Sequence, residues 1–278
     1  MYTEKSVELK SDFYSRYGES HGRLYFEKSG LPCVILGGGE EFMAFSLDCG
    51  VRAYGRDYGD VLKICDSDSN VCDVHFASRG KGAQVLYKRD IVGIKETEEA
   101  VTHTVNKLIR KIGCSERLPV DEGYIAVCDR YGADGWCAVK LRGQFKSVPL
   151  PLGGYNVILI RTRKEKLVFG CDELEHFQYG DRERIRLGAE TLKECRLDAF
   201  FDMINKSELS LEHMLNPSGE LLSVVKSVQD TDGVCACRIT DIGVVAFCRK
   251  EMTDVAVREI INQCSRRLGY AVRVAVVK

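Results

Sequence analysis

Val101, Val105, Leu108, Ile109 and Ile112 fall on one stripe of a helix predicted over 96–112, and Gly113 directly after them supplies its exit. A helix with a single apolar face is stable only where another layer covers that face. The flanking segments offer such a layer. Residues 31–36, 41–47, 60–65, 71–76 and 84–87 before the helix, and 124–128, 136–141 and 155–161 after it, are short, apolar or alternating, and separated by Gly, Asp, Asn and Ser. The pattern therefore predicts strands and an α/β protein in which helices pack on sheet.

Further helices are expected at both ends. Phe13, Tyr14 and Tyr17 recur at helical spacing within 11–18, with Gly18 as the stop, and Ile185, Ala189, Leu192, Phe200, Met203 and Ile204 mark a long helix over 181–205. Residues 221–228 form a short amphipathic helix. The segments 234–247, 254–268 and 270–277 read as strand, helix and strand, with Val255, Ile260, Ile261 and Leu268 facing the sheet. Pro149, Pro151, Gly153 and Gly154 set the expected seam between domains 1–150 and 151–278.

Composition excludes several functions. The chain has 278 residues, 45% of them hydrophobic, which suffices for a core. Its 40 basic and 41 acidic side chains nearly cancel, which removes the overall attraction to nucleic acid or anionic lipid and favours a small or neutral ligand. No apolar run approaches the roughly 18 residues of a membrane span, and residues 1–10 are polar and unlike a signal peptide, so a cytoplasmic protein is expected. The 13 cysteines lie mostly in apolar runs and read as reduced core thiols. Cys235 and Cys237 share one strand face, but with no C-x-x-C pair no metal site is expected.

Specific stretches go further. D-F-Y-S-R-Y-G at 12–18, G-G-G-E-E-F-M-A-F-S-L-D-C-G at 37–50, V-P-L-P-L-G-G-Y-N-V-I-L-I-R-T at 148–162, the A-x-x-L-K and D-x-F-F-x-M-I-N-x-S-x-x-S-L patterns within 176–211, and A-C-R-I-T-D-I-G-V-V-A-F at 236–247 occur in one order. In that order they resemble the galactokinase branch of the GHMP small-molecule kinases. The resemblance implies an α+β fold of two domains: an N-terminal domain of mixed sheet and helices, and a C-terminal ferredoxin-like α/β sandwich. It also implies ATP and Mg as cofactors and a sugar hydroxyl as phosphoryl acceptor.

The residues that such chemistry needs are largely missing. The family's phosphate loop, G-L-S-S-S-A-A, has no counterpart: after 124–128 the chain reads D-R-Y-G-A-D-G-W, where Gly132 and Gly135 suit a hairpin turn. Asp129 is the remaining candidate for the catalytic carboxylate, with Arg130 beside it. Of the sugar-binding signature only Gly22 and Arg23 are matched, while Glu27, Glu40 and Glu41 read as solvated carboxylates. Arg238 and Thr240 stand where the family has R-x-T, followed by Asp241, Ile242 and Gly243 in place of its glycines. Gly37, Gly38 and Gly39 suit a tight turn, and Arg161, Arg163, Lys164 and Lys166 a solvated face.

The expectation is a galactokinase-like protein that has lost ATP-dependent sugar phosphorylation. It would keep no cofactor, leave nucleic acid and membranes alone, and act as a binding or regulatory scaffold. The alternative is an active sugar kinase using ATP and Mg, with Asp129 as the catalytic group. A residual sugar or sugar-phosphate site would require Arg23, Asp129 and Arg238 to line one pocket, since guanidinium groups can hold an anion without a phosphate loop.

Overall fold

The computed structural model describes residues 4–19, 22–68, 72–76, 81–91, 95–115, 117–119, 123–161, 171–215, 219–240, 242–267 and 273–277. It divides into two compact units, one formed by 1–31 and 48–129, the other by 32–47 and 130–278. The seam expected at 149–154 lies inside the second unit. Strands β1 (Tyr25–Gly38) and β2 (Glu41–Asp57) each contribute to both units, because the hairpin joining them belongs to the second.

In the first unit the sheet runs β4 (Cys72–Phe76), β3 (Val61–Asp66), β5 (Ala83–Arg89), β2, with only β3 and β5 parallel. Side chains alternate between its faces. Val51, Ala53, Ile64 and Val85 meet the stripe of α2 (Lys95–Ile112), while Tyr54, Cys65 and Leu86 meet Leu9 and Phe13 of α1 (Glu4–Tyr17). Gly18, at φ 73°, and Gly113, at φ 88°, end the two helices as their positions predict.

The stretch 48–57, outside the predicted strands, continues β2 through Gly50 and Gly55. Both glycines permit close approach. A Cβ on Gly50 would lie 2.1 Å from the carbonyl oxygen of Ser29, and one on Gly55 would lie 2.7 Å from Leu108 of α2. Gly50→Ala must push β1 from β2 and is expected to cost about 1–3 kcal/mol, as overpacking does. The urea midpoint reads this, and an unchanged midpoint would show that the two strands separate freely.

In the second unit the opening half of β2 pairs with β6 (Trp136–Leu141), and β6 pairs with β7 (Gln144–Pro149). A four-stranded antiparallel sheet follows in the order β11 (Arg273–Val277), β8 (Tyr155–Arg161), β10 (Gly243–Arg249), β9 (Val234–Thr240). One face packs against α6 (Gly219–Gln229) and α7 (Thr253–Arg267). On the other, Phe247 meets Phe201 of α5 (Leu197–Leu215) at 5.4 Å between ring centres. β11 therefore shares a sheet with β10, as the strand-helix-strand reading requires.

Four expectations need correction. Residues 124–128 are not a strand but part of helix α3 (Tyr124–Tyr131), which buries Ile125 and Cys128 one turn apart; so short an apolar run carries no distinguishing period. Gly132 and Gly135 accordingly join a helix to β6 rather than closing a hairpin, and a Cβ on Gly132 would lie 2.9 Å from the Ala44 carbonyl oxygen. The helix expected over 181–205 is two, α4 (Cys171–Lys193) and α5. Cys195, at φ 55°, turns the chain while the Arg196 amide donates to Thr191 O at 2.9 Å.

On α7, Val255 and Ile261 are exposed, and Ala256, Ile260 and Cys264 face the sheet. The buried stripe follows i, i+4 spacing from Ala256 through Ile260 to Cys264. Leu268 lies outside the described residues. No helix among them is long and apolar enough to cross a membrane.

Candidate functional site

Asp129 sits in the last turn of α3. Both its carboxylate oxygens accept from Lys107 Nζ, at 3.0 and 2.9 Å, and His103 Nε2 lies 3.3 Å from Oδ2. His103, Lys107 and Lys111 follow one another at i, i+4 along α2. Glu27 on β1 completes the group: it is buried, not solvated as expected, and pairs with Lys107 at 3.4 Å and with Lys111. Lys107 thus bridges two carboxylates and ties β1, α2 and α3 together.

Burial raises the Asp129 pKa, but hydrogen bonds from His103 and Lys107 and their charge outweigh it and hold the carboxyl below its usual value. Such a group stays ionised at neutral pH and is a poor proton acceptor. Because its folded pKa is depressed, its stabilisation is present above the unfolded value of about 3.9 and is lost as the pH falls through the folded one. Wild type and Asp129→Asn should therefore differ in melting temperature at pH 7, and the difference should begin to shrink only as the pH falls below about 4. A difference that persists unchanged into acid would exclude this titration.

Arg23 is exposed just before β1, its guanidinium 5.0 Å above the Tyr25 ring. No contact joins it to the Asp129 group among the described residues. Asp134 occupies an exposed turn at φ 53°.

Arg238, on β9 in the second unit, is 3% exposed and serves the interior. Its Nη1 donates to Ile35 O at 3.1 Å and Ser207 Oγ at 2.6 Å, and Nη2 donates to Gly37 O at 2.9 Å. Asp181, with no exposed surface, accepts from Gly37 N at 2.7 Å, Ser207 Oγ at 3.0 Å and Arg184 Nη1 at 2.8 Å. Asp181 and Ser207 were not foreseen. They lie 26 residues apart on two helices, and no local pattern links them.

The Gly37–Gly39 segment is the β1–β2 turn, as expected, with Gly37 at φ 70° and Gly39 at φ 63°. Glu40 pairs with Lys140 at the surface. Glu41, by contrast, is buried and accepts from Arg182 Nε at 2.5 Å and the Arg142 amide at 3.0 Å; burial raises its pKa, and these bonds bring it below the usual value. In the β9–β10 turn Thr240 Oγ1 donates to Gly243 O at 2.7 Å, and a Cβ on Gly243 would lie 2.5 Å from Ile160 O. Gly243 is therefore required by the sheet. Asp241, Arg163, Lys164 and Lys166 lie outside the described residues.

ATP needs a helix start whose free amides and positive dipole end receive polyphosphate. The described helices fit this poorly. α2 carries Glu96 and Glu98 in its first turn, α5 has Asp198 and α7 has Asp254. α3 has no acid in its first turn, but it opens on apolar Y-I-A-V. In the β5–α2 connection, Asp90 already accepts from the Gly50 amide at 3.0 Å and pairs with Arg52. Carboxylates at these positions repel the anion that a cradle must attract.

No protein-family model matches the sequence, and no curated protein matches it. Solved structures do match by shape. The galactokinase of Lactococcus lactis, solved with galactose, aligns at a TM-score of 0.78 over 99% of this chain and 98% of that one, at 13% identity. The mevalonate kinase of L. major, solved with R-mevalonate, aligns at 0.66 over 92% and 97%, at 10% identity. The homoserine kinase of Cytophaga hutchinsonii aligns at 0.58 over 94% and 96%, at 12% identity. At such identities the likeness concerns architecture, and the chain has the α/β fold shared by the GHMP small-molecule kinases.

Proposed function

We propose that this chain is a galactokinase-like protein that no longer transfers phosphate and acts as a binding or regulatory scaffold. The carrying observation is electrostatic: α2, α5 and α7 each carry an acid in the first turn, which disfavours a polyphosphate at those helix starts. The lowered pKa of Asp129 and the internal bonds of Arg238 support the same reading, since neither group is poised for proton or phosphate transfer. The division into a kinase-like N-terminal part, 1–150, and a C-terminal part, 151–278, belongs to this proposal.

The ligand class proposed is a sugar or sugar phosphate, because a structural neighbour was solved with galactose. A reducing, cytoplasmic setting is supported by the 11 described cysteines, all free thiols and most of them buried. Calorimetry with galactose, galactose phosphate and Mg-ATP is the test. Heat from a sugar ligand without heat from Mg-ATP is expected. Saturable binding of Mg-ATP would overturn the loss of the nucleotide site.

A further inference from the structure

The outer strands of the second unit are treated in opposite ways. The outward backbone groups of β9 are closed by side chains of α5: Asn205 Nδ2 donates to Cys235 O at 3.0 Å, Asn205 Oδ1 accepts from the Cys237 amide at 3.2 Å, and Glu208 Oε2 accepts from the Ile239 amide at 2.9 Å. A strand edge left open templates pairing with another chain, and these side chains prevent it. On β7 no side-chain bond of this kind is seen among the described residues, and although α4 lies against the β6–β7 ribbon, 144–147 remain exposed.

The register of the β6–β7 hairpin identifies which groups are left over. Arg142 and Gly143, at φ 51° and 71°, form a two-residue turn, and Leu141 faces Gln144 across it. From that closing pair the hydrogen-bonded positions alternate, so Lys146 and Val148 bond back to β6 while the amides and carbonyls of Phe145 and Ser147 point away from it. Residues 144–147 are exposed on both strand faces.

Cations outnumber carboxylates along this edge, although Lys140 is already paired with Glu40 at 3.2 Å and Arg142 lies beside Glu41. From Trp136 to Pro149 the sequence W-C-A-V-K-L-R-G-Q-F-K-S-V-P contains Lys140, Arg142 and Lys146 and no carboxylate. Phe145 is exposed between Tyr131, stacked on it at 5.6 Å and 10°, and Lys140, whose Nζ lies 5.6 Å from its ring centre. Trp136, the chain's single tryptophan, is exposed on the same face of the ribbon. Exposed aromatics beside cations give a peptide apolar contact and charge attraction together.

We infer that the free edge of β7 receives an extended acidic peptide segment of a partner protein, which adds a strand by hydrogen bonding to Phe145 and Ser147 and places its carboxylates against Arg142 and Lys146. A second copy of this chain is the poorer occupant, because an antiparallel self-pairing would bring two cationic strands together. The inference rests on the scaffold reading and names the class of its partner.

The probe is a short, terminally blocked peptide of alternating Glu and Val, titrated by calorimetry and followed by amide hydrogen exchange. It should bind with affinity that falls as salt is raised, and it should slow exchange at Phe145 and Ser147. Ser147→Pro removes only an outward N–H, and Lys146→Glu reverses one charge; each should weaken binding about tenfold, the size of one or two lost interactions. The Lys146→Glu variant keeps the test open if the proline disturbs the hairpin. Absence of binding to the wild type, equal affinities for wild type and Lys146→Glu, or protection confined to other strands would overturn the inference. Peptide binding is read without nucleotide, so its failure leaves the loss of phosphoryl transfer standing, and detection of kinase turnover leaves the edge result standing.

Discussion

Asp181→Ala is expected to lower the free energy of unfolding by about 3–5 kcal/mol, the loss typical of removing one partner from a buried charge group. Asp181 is fully buried and is the carboxylate facing the Gly37 amide, the Ser207 hydroxyl and Arg184, with Arg238 Nη1 at 4.0 Å. Without it, the Gly37 amide and the Ser207 hydroxyl lose a buried acceptor, and Arg184 and Arg238 lose a charged neighbour. Ser207→Ala should cost less, about 1–2 kcal/mol, because hydrogen bonds are lost but no charge is stranded. Urea unfolding of both variants tests the order. If Asp181→Ala costs under about 1 kcal/mol, or less than Ser207→Ala, the network does not hold the Gly37 turn in place.

The second expected result is catalytic. With Mg-ATP and galactose, a coupled assay should show no turnover approaching the roughly 1 per second at the low end for kinases. Phosphoryl transfer depends on positioned electrostatics, and losing them costs orders of magnitude in rate. Asp129 is the residue on which an active enzyme would have to rely, and its two oxygens are occupied by Lys107 and His103, which hold it ionised. A general base works best with a pKa near the working pH, and Asp129 is displaced the other way. Turnover near 1 per second that disappears in Asp129→Asn would reverse this conclusion. Turnover unaffected by that substitution would transfer the chemistry to another residue.

The sequence alone determined what depends on local period and on backbone preference. The stripe Val101, Val105, Leu108, Ile109 and Ile112 specified α2 because its 3.6-residue repeat leaves a single apolar face. Gly18 and Gly113 ended their helices because glycine adopts positive φ without a Cβ penalty. The α+β architecture was legible from the order of such segments. Tertiary structure decided the rest. Tyr124–Tyr131 is too short for its apolar run to show a period, so its helical state follows from Ile125 and Cys128 entering the core on one side. Val255 and Ile261 were chosen for hydrophobicity, whereas the packing of α7 against the sheet favoured Ala256, Ile260 and Cys264. Glu27, Glu41, Asp181 and Arg238 look like surface charges in a sequence. Whether a charge is solvated or buried depends on partners as far away as 203 residues, between Ile35 and Arg238, and no local pattern carries that information.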